Sequence, residues 1–305
     1  MTQFLLDSGN PQEYREIQEL AKQHNSELWG ATTNPTLIAK NLAGKKLTQQ
    51  EAFALQKEIV MEILTIVPGA VSAEVYADGT TSAEEMANQG EEIASWDERI
   101  YVKLPTTIEG LKARTTLRKK KISINNTLVF SQQQIFAITL HEHIIRKTDP
   151  DNQPKWPQFI SPFVGRIDDK GENGMQLIEN GMKVKETFSP VNNQPLTWML
   201  ASSIRRVEHL KRSIELNSEI ITAPAKIYKE WFSLTEQQQK EINTQTYTQS
   251  LAPIPYWQPL QAIQEIETIA AFMTALDTKQ LDISHPMTDA GLEQFVKDWK
   301  TILLT

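Results

Sequence analysis

The heptapeptide Arg99-Ile-Tyr-Val-Lys-Leu-Pro105 reads with period two. Ile100, Val102 and Leu104 share one face, which would pack on helices. Tyr101 and Lys103 share the other and would point into the interior of a barrel. Runs of the same kind precede and follow it: Gln3–Leu6, Glu27–Ala31, Ala70–Tyr76, Lys121–Val129, Gln158–Phe163, Thr197–Ser202 and Glu219–Thr222. Helix-period segments separate them, as the spacing Tyr14, Ile17, Leu20 shows for the first. Thr48 to Glu51 and Ser82 to Glu85 have the spacing of capping boxes that open two of these helices. The basic run Arg118–Lys121 would end the helix after Gly110, where cations suit the helix dipole. Eight strand–helix alternations favour an α/β chain closed as a (β/α)8 TIM barrel over an open sheet. No GxGxxG follows an early strand to suggest a dinucleotide fold.

A chain of 305 residues suits one such barrel. Residues 1–305 are therefore expected to form a single domain, with 226–305 as a C-terminal helical extension packed on the barrel. Within that extension a Pro-rich break, Ala252–Pro259, precedes amphipathic helices near Leu260–Leu276 and Asp289–Leu304. Gln237–Gln249 is unusually polar and is expected to be mobile. Cys is absent, which removes disulfides, thiolate nucleophiles and cysteine metal sites. Asp7 follows too few apolar residues for a signal peptide, and no run of about 18 apolar residues occurs to cross a membrane. A cytoplasmic location is expected, without membrane contact. The net charge of −7 argues against nucleic-acid binding as a main role.

In a β/α barrel, chemistry gathers at the C-terminal ends of the strands. Here those ends carry Asp7, Thr32-Thr33-Asn34, Glu74, Lys103, Asn125 with Thr127, Ser161 with Arg166, Ser203 with Arg205, and Thr222. Two arginines in the later loops stand where barrels often hold phosphate. An inward lysine must reach the strand end or shed its charge; desolvation favours the neutral amine that Schiff-base chemistry needs. The structural alternative is a lysine that snorkels to solvent or forms a core ion pair with Glu74. Glu74 also faces inward, because Val71, Ala73 and Val75 alternate with Ser72, Glu74 and Tyr76. With Asp7 it could divide acid and base work, or merely neutralise the cations.

Taken in order, the motifs become specific. Phe4-Leu-Leu-Asp7, Trp29-Gly-Ala-Thr-Thr-Asn-Pro-Thr-Leu-Ile38, Val71-Ser-Ala-Glu74, Val102-Lys-Leu-Pro105 and Asn125-Asn-Thr-Leu-Val-Phe-Ser131 strongly resemble the transaldolase family. So do Ile160-Ser-Pro-Phe-Val-Gly-Arg-Ile167, Ala201-Ser-Ser-Ile-Arg205, and His285-Pro-Met-Thr-Asp289 followed by Phe295 and Trp299. The resemblance implies a class I mechanism without metal or organic cofactor, in the non-oxidative pentose phosphate pathway. It gives Lys103 the role of Schiff-base nucleophile and Asp7 that of the acid–base group on the C4 hydroxyl. Glu74 would shuttle protons through a water held with Thr127. Asn34, Asn125 and Ser161 match residues that hold substrate hydroxyls, and Arg166, Arg205 and Ser203 match the phosphate clamp. Fructose-6-phosphate aldolase, a relative that releases dihydroxyacetone, typically has Gln at the position of Glu74 and Tyr at that of Phe163. The residues here follow the transferase pattern.

The chain departs from the family at Arg206, where Asn is usual, and in a longer His141–Pro157 segment. His141-Glu-His143 within it is a weak metal motif, since residues two apart on a helix diverge, and a plain surface loop is expected there. Asn125-Asn-Thr127 matches a glycosylation sequon by coincidence. Three readings follow: a transferase moving a dihydroxyacetone unit between sugar phosphates, a lyase with the same site, and an inactive barrel that binds a sugar phosphate or a protein. A homo-oligomer, dimer or larger, is compatible with the apolar positions of the tail helices.

Overall fold

Strands β1 (Gln3–Asp7), β2 (Leu28–Thr32), β3 (Val71–Glu74) and β4 (Ile100–Pro105) are all parallel and hydrogen-bonded in chain order. Strands β5 (Ile124–Val129), β6 (Gln158–Pro162), β7 (Thr197–Ala201) and β8 (Ile220–Ala223) continue the order, and β8 returns to β1. The sheet is thus a closed eight-stranded barrel, seen in a computed structural model that describes residues 2–304. Each sequence-predicted strand coincides with one of these, to within a few residues at its ends.

The connecting helices are α1 (Pro11–Gln23), α2 (Pro35–Asn41), α3 (Gln49–Leu64), α4 (Ala83–Ala94) and α5 (Ile108–Lys119). They continue with α6 (Gln132–Thr148), α7 (Val164–Asp168), α8 (Gly174–Lys185) and α9 (Val207–Glu215). Thr48 and Ser82 close the capping boxes read from their spacing, and Ser131 adds one at α6. Each such cap stabilises its helix by about 1 kcal/mol.

After β8 the chain forms α10 (Ala225–Ser233), α11 (Glu236–Glu241), a short 3-10 turn Thr246–Thr248, α12 (Gln261–Gln264), α13 (Ile269–Asp277) and α14 (Pro286–Lys300). The expected helix near Leu260–Leu276 is therefore two, α12 and α13; Thr268 interrupts them and caps α13 by accepting from Ala271 N. The last helix begins earlier than expected, at Pro286, whose missing N–H costs nothing in the first turn. Part of the polar 237–249 stretch is helical, opened by a Thr235–Gln238 capping box. Among the described residues no helix is long and apolar enough to cross a membrane.

The interior is layered. At the N-terminal end of the barrel Leu5, Ala70, Tyr101, Phe159, Leu200 and Ile220 form one apolar cluster, with Trp29, Trp156 and Trp198 packed against it. The Tyr101 and Phe159 rings stack with centroids 3.9 Å apart, and Trp29 meets Trp156 edge-on at 4.9 Å. Pairs of this kind add about 0.5–1.5 kcal/mol each beyond the area they bury. Tyr101 spends its hydroxyl on the Trp156 carbonyl. Trp156 lies just before β6, so the segment leading into β6 helps close the end of the barrel opposite the strand C-termini.

His141-Glu-His143 is not in a surface loop. It sits inside α6, with His141 and Glu142 fully buried against α5. Glu142 accepts from Arg114 Nη2 at 2.9 Å and from Arg118 Nη2 at 2.8 Å. His141 faces Arg114 through Nδ1 and Thr115 Oγ1 through Nε2; burial and the two guanidiniums hold its pKa well below the usual histidine range. Arg118 lies in the last turn of α5, as the basic run implied, but it is also a core residue. Arg114 and Arg118 lie four apart on α5 and reach one carboxylate together, a meeting that needs two helices to be docked. Arg114 Nε also donates to Asn126 Oδ1, tying the network to the outer face of β5.

At its end β5 is irregular. Asn126 pairs with Ile160 and Val129 with Pro162, which leaves one extra residue on β5. Leu128 absorbs it in the left-handed region, with φ 56°, an uncommon and strained state for a branched side chain. Its carbonyl accepts a hydrogen bond from Thr288 Oγ1 of α14 at 2.9 Å.

Candidate active site

One layer above the aromatic plug, the period-two alternation turns polar. Register places Glu74 of β3 directly opposite Lys103 of β4. Lys103 Nζ stands 3.1 Å from Glu74 Oε2 and donates to the Thr33 carbonyl at 2.9 Å. Both side chains are almost fully buried. The expected alternative of a core ion pair is therefore present, but the same amine also lines an open pocket. Burial pushes the Glu74 carboxyl up to about 7; the adjacent Lys103 opposes the rise, and the charge of Asp7 adds to it.

Asp7 ends β1 beside them. Thr32 donates to its Oδ1 at 2.7 Å, and Thr32 Oγ1 in turn accepts from Thr222 Oγ1 at 2.6 Å. Burial raises the Asp7 pKa, against the pull of Lys103, the Thr32 hydrogen bond and Arg166. On the opposite wall, Asn125 Nδ2 donates to Ser72 Oγ at 3.0 Å, and Ser161 Oγ donates to Asn125 Oδ1 at 2.6 Å. Asn125 is fully buried, so the sequon there is beyond reach of any glycosylating enzyme. Thr127 is buried too, and its hydroxyl makes no hydrogen bond within the protein.

The pocket, about 190 Å³, is lined by residues from six of the eight strand ends and from α14. Asp7, Thr32, Lys103, Ser161 and Thr222 form the floor, while Asn34, Phe163, Arg166, Ser203 and Arg205 stand around the rim. Asn34 also caps α2 by accepting from Leu37 N at 2.9 Å. Arg166 rises from α7 and is partly desolvated; burial and the nearby charge of Arg205 lower its pKa. Arg205 is bound through Nη1 to Asp169, 2.6 Å away. Two repelling guanidiniums at one rim form a natural anion site.

Local backbone makes this rim possible. Ser203 adopts φ 57°, and Gly165 N donates to its carbonyl at 3.1 Å. A Cβ on Gly165 would lie 2.3 Å from that carbonyl oxygen, so only glycine lets the two cationic loops touch. Beneath them His209 of α9 bonds Asp168 of α7 at 2.8 Å. Arg206, next to the clamp residue Arg205, does not line the pocket: its guanidinium lies over the Tyr247 ring, 5.2 Å from the centroid.

The structure thus gathers Asp7, Asn34, Lys103, Ser161, Phe163, Arg166, Ser203 and Arg205 around one cavity, with Glu74 and Asn125 bonded to its members. Sequence reasoning gave no site role to Ser72, although it set that residue on the inward face of β3, nor to Thr36, Leu37 and Phe295, although all three stand within the family-like motifs. Wider clefts open elsewhere, one between α1 and α10 and another beside α14, but neither gathers buried polar groups. Among the described residues, no cluster of three or more His, Asp or Glu could hold a metal ion.

The chain is similar to curated proteins called "Probable transaldolase". That of Brevibacillus brevis is 32% identical over 299 residues, 98% of each chain. That of Chlorobium chlorochromatii is 34% identical over 236 residues, covering 77% of this chain and 93% of its own. The Geobacter metallireducens protein is 30% identical over 98% of each. A solved structure of Leishmania donovani UMP synthase aligns with a TM-score of 0.40 at 10% identity over 75% of this chain and 52% of its own, too slight a likeness to carry an argument. The family model described as transaldolase/fructose-6-phosphate aldolase matches residues 4–305, and the chain belongs to that family.

Proposed function

We propose that the protein is a transaldolase that moves a dihydroxyacetone unit from a ketose phosphate to an aldose phosphate through a Schiff base on Lys103. The observation that carries this is a buried amine that faces both a carboxyl and an open polar pocket rimmed by arginines. Donors of this kind are fructose 6-phosphate and sedoheptulose 7-phosphate; acceptors are glyceraldehyde 3-phosphate and erythrose 4-phosphate. The setting is the cytoplasm and the non-oxidative pentose phosphate pathway. The whole chain acts as one barrel domain, with residues 226–305 as its extension.

In the reaction Lys103 Nζ attacks the C2 carbonyl, and loss of water gives the imine. Glu74, whose carboxyl titrates at about 7, donates and recovers the protons this dehydration needs, through a water shared with Thr127. Asp7 then takes the C4 hydroxyl proton. The C3–C4 bond breaks, its electron pair passes to the iminium nitrogen, and an aldose phosphate leaves. The enamine on Lys103 adds to the acceptor aldehyde, Asp7 returns the proton to the new hydroxyl, and hydrolysis frees the product. Asn34, Asn125 and Ser161 hold substrate hydroxyls, while Arg166, Arg205 and Ser203 hold the phosphate. Remote phosphate binding positions the reacting carbon, which lowers the entropic part of the barrier. Glu74 and Phe163, in place of the Gln and Tyr typical of fructose-6-phosphate aldolase, favour transfer over release of dihydroxyacetone.

Trapping with borohydride and fructose 6-phosphate, with and without erythrose 4-phosphate, tests the reading. An adduct on Lys103 and turnover only with the acceptor are expected. Acceptor-free release of dihydroxyacetone would make the protein a lyase, and absence of any adduct would end both enzyme readings.

A further inference from the structure

Helix α14 lies across the barrel mouth, held at two points. Near its start Thr288 donates to the carbonyl of the strained Leu128 and receives a hydrogen bond from Gln134 Nε2 at 2.9 Å. Near its end Asp298 accepts from Thr36 Oγ1 of α2 at 2.5 Å. Between these clips Gly291 and Phe295 reach the pocket rim. A Cβ on Gly291 would stand 2.6 Å from Leu128 Cδ2 and 2.9 Å from Arg166 Nη1, so the helix rides directly on that guanidinium.

Arg166 itself has no hydrogen-bond or ion-pair partner among the described residues. Its guanidinium instead lies 5.1 Å from the centroid of the Phe163 ring and 5.5 Å from that of Phe295. Arg205 contrasts with it, since a carboxylate holds Arg205. Two aromatic faces can fix the plane of a guanidinium while leaving its N–H donors free for a ligand. A carboxylate would fix it equally well but would consume those donors and offset the charge.

We propose that Phe295 is a positioning residue of the anion site: with Phe163 it clamps Arg166 so that its donors point at the phosphate of the bound sugar. The inference rests on the sugar-phosphate reading of the pocket. It makes α14 a wall of the site, and it assigns part of the phosphate affinity to a ring that never touches phosphate.

The test compares Phe295→Leu, which keeps an apolar filler, with Phe295→Tyr, which keeps the ring. The readouts are inorganic phosphate binding by calorimetry and the KM and kcat of the ketose phosphate reaction. Phe295→Leu should weaken phosphate binding and raise KM by roughly three- to tenfold, the range set by cation–π strengths, with a smaller change in kcat. Phe295→Tyr should restore both to within about twofold. Equal losses in the two variants, or phosphate binding by Phe295→Leu equal to that of the unaltered protein, would overturn the proposal. Failure of the unaltered protein to bind phosphate would overturn it as well. Borohydride trapping of unphosphorylated dihydroxyacetone on Lys103 of the unaltered protein checks the Schiff-base reading separately, because that ligand has no phosphate to clamp.

Discussion

Glu74 and Lys103 are direct neighbours across the β3–β4 ladder, and their side chains meet 3.1 Å apart inside the barrel. The pairing is a matter of register: a slip of one residue would turn either side chain to the outer, helix-covered face. Yet the amine aims its hydrogen bond at the Thr33 carbonyl. The carboxyl nonetheless stays within direct reach of the amine.

Replacing Lys103 with Ala should abolish borohydride-dependent labelling by fructose 6-phosphate while the protein stays folded. Removing one member of a buried pair leaves the other uncompensated, which often costs several kcal/mol. Here Glu74 can take up a proton, because burial already raises its pKa to about 7. The loss should therefore be about 1–3 kcal/mol, read by denaturant unfolding near neutral pH. Complete unfolding would show that Lys103 is chiefly structural.

Glu74 should leave a signature in the pH dependence of stability. Its folded pKa lies above the ordinary carboxylate value of 4.5. The folded state therefore holds this proton more tightly than the unfolded chain does. The stability it contributes is full below about pH 4.5 and is lost as pH rises through about 7. Glu74→Gln cannot titrate, so its stability relative to the parent should climb over that window. A constant difference between the two proteins from pH 4.5 to 7.5 would contradict the assignment.

Asp169 holds Arg205 by an ion pair that is about half exposed. Such pairs contribute little to folding, so Asp169→Asn should change stability by less than about 1 kcal/mol. It should, however, free the guanidinium for an anion. The KM for a phosphorylated donor is expected to fall by about two- to fivefold, which corresponds to the strength of an exposed pair. A rise in KM would mean that Asp169 orients Arg205 and does not compete for it.

Among the described residues, Glu142 alone pairs with both Arg114 and Arg118, in a fully buried network. Glu142→Ala should destabilise the protein by about 3–5 kcal/mol, because two guanidiniums lose their counter-charge in a dry core. Thermal or denaturant unfolding would show it. A stability loss below about 1 kcal/mol would mean that solvent reaches the network.

The eight strands were legible because each carries a local signal, either alternation or a short apolar run ending in polar residues. Lys103 and Glu74 were legible for the same reason: period two states which side of a strand a residue takes. The ends of the tail helices were harder to read, since Thr268 and Pro286 act on boundaries that apolar spacing alone blurs. The partnership of Arg114, Arg118 and Glu142 was not legible, because within its own segment each is an ordinary charged residue. Only docking of α5 on α6 removes the water around them and makes them partners.

The sequence by itself determined the barrel, the inward direction of Lys103 and Glu74, and the set of polar groups at the strand ends. These follow from local stereochemistry, which needs no knowledge of what lies across the chain. Tertiary structure alone decided that Glu74 and Lys103 meet at 3.1 Å, that Leu128 bends β5 in a left-handed conformation, and that α14 sets Phe295 beside Arg166. Residues 166 and 295 are too far apart in the chain for any local pattern to couple them. Their contact exists because Thr36 and Thr288 hold the last helix over the mouth of the barrel.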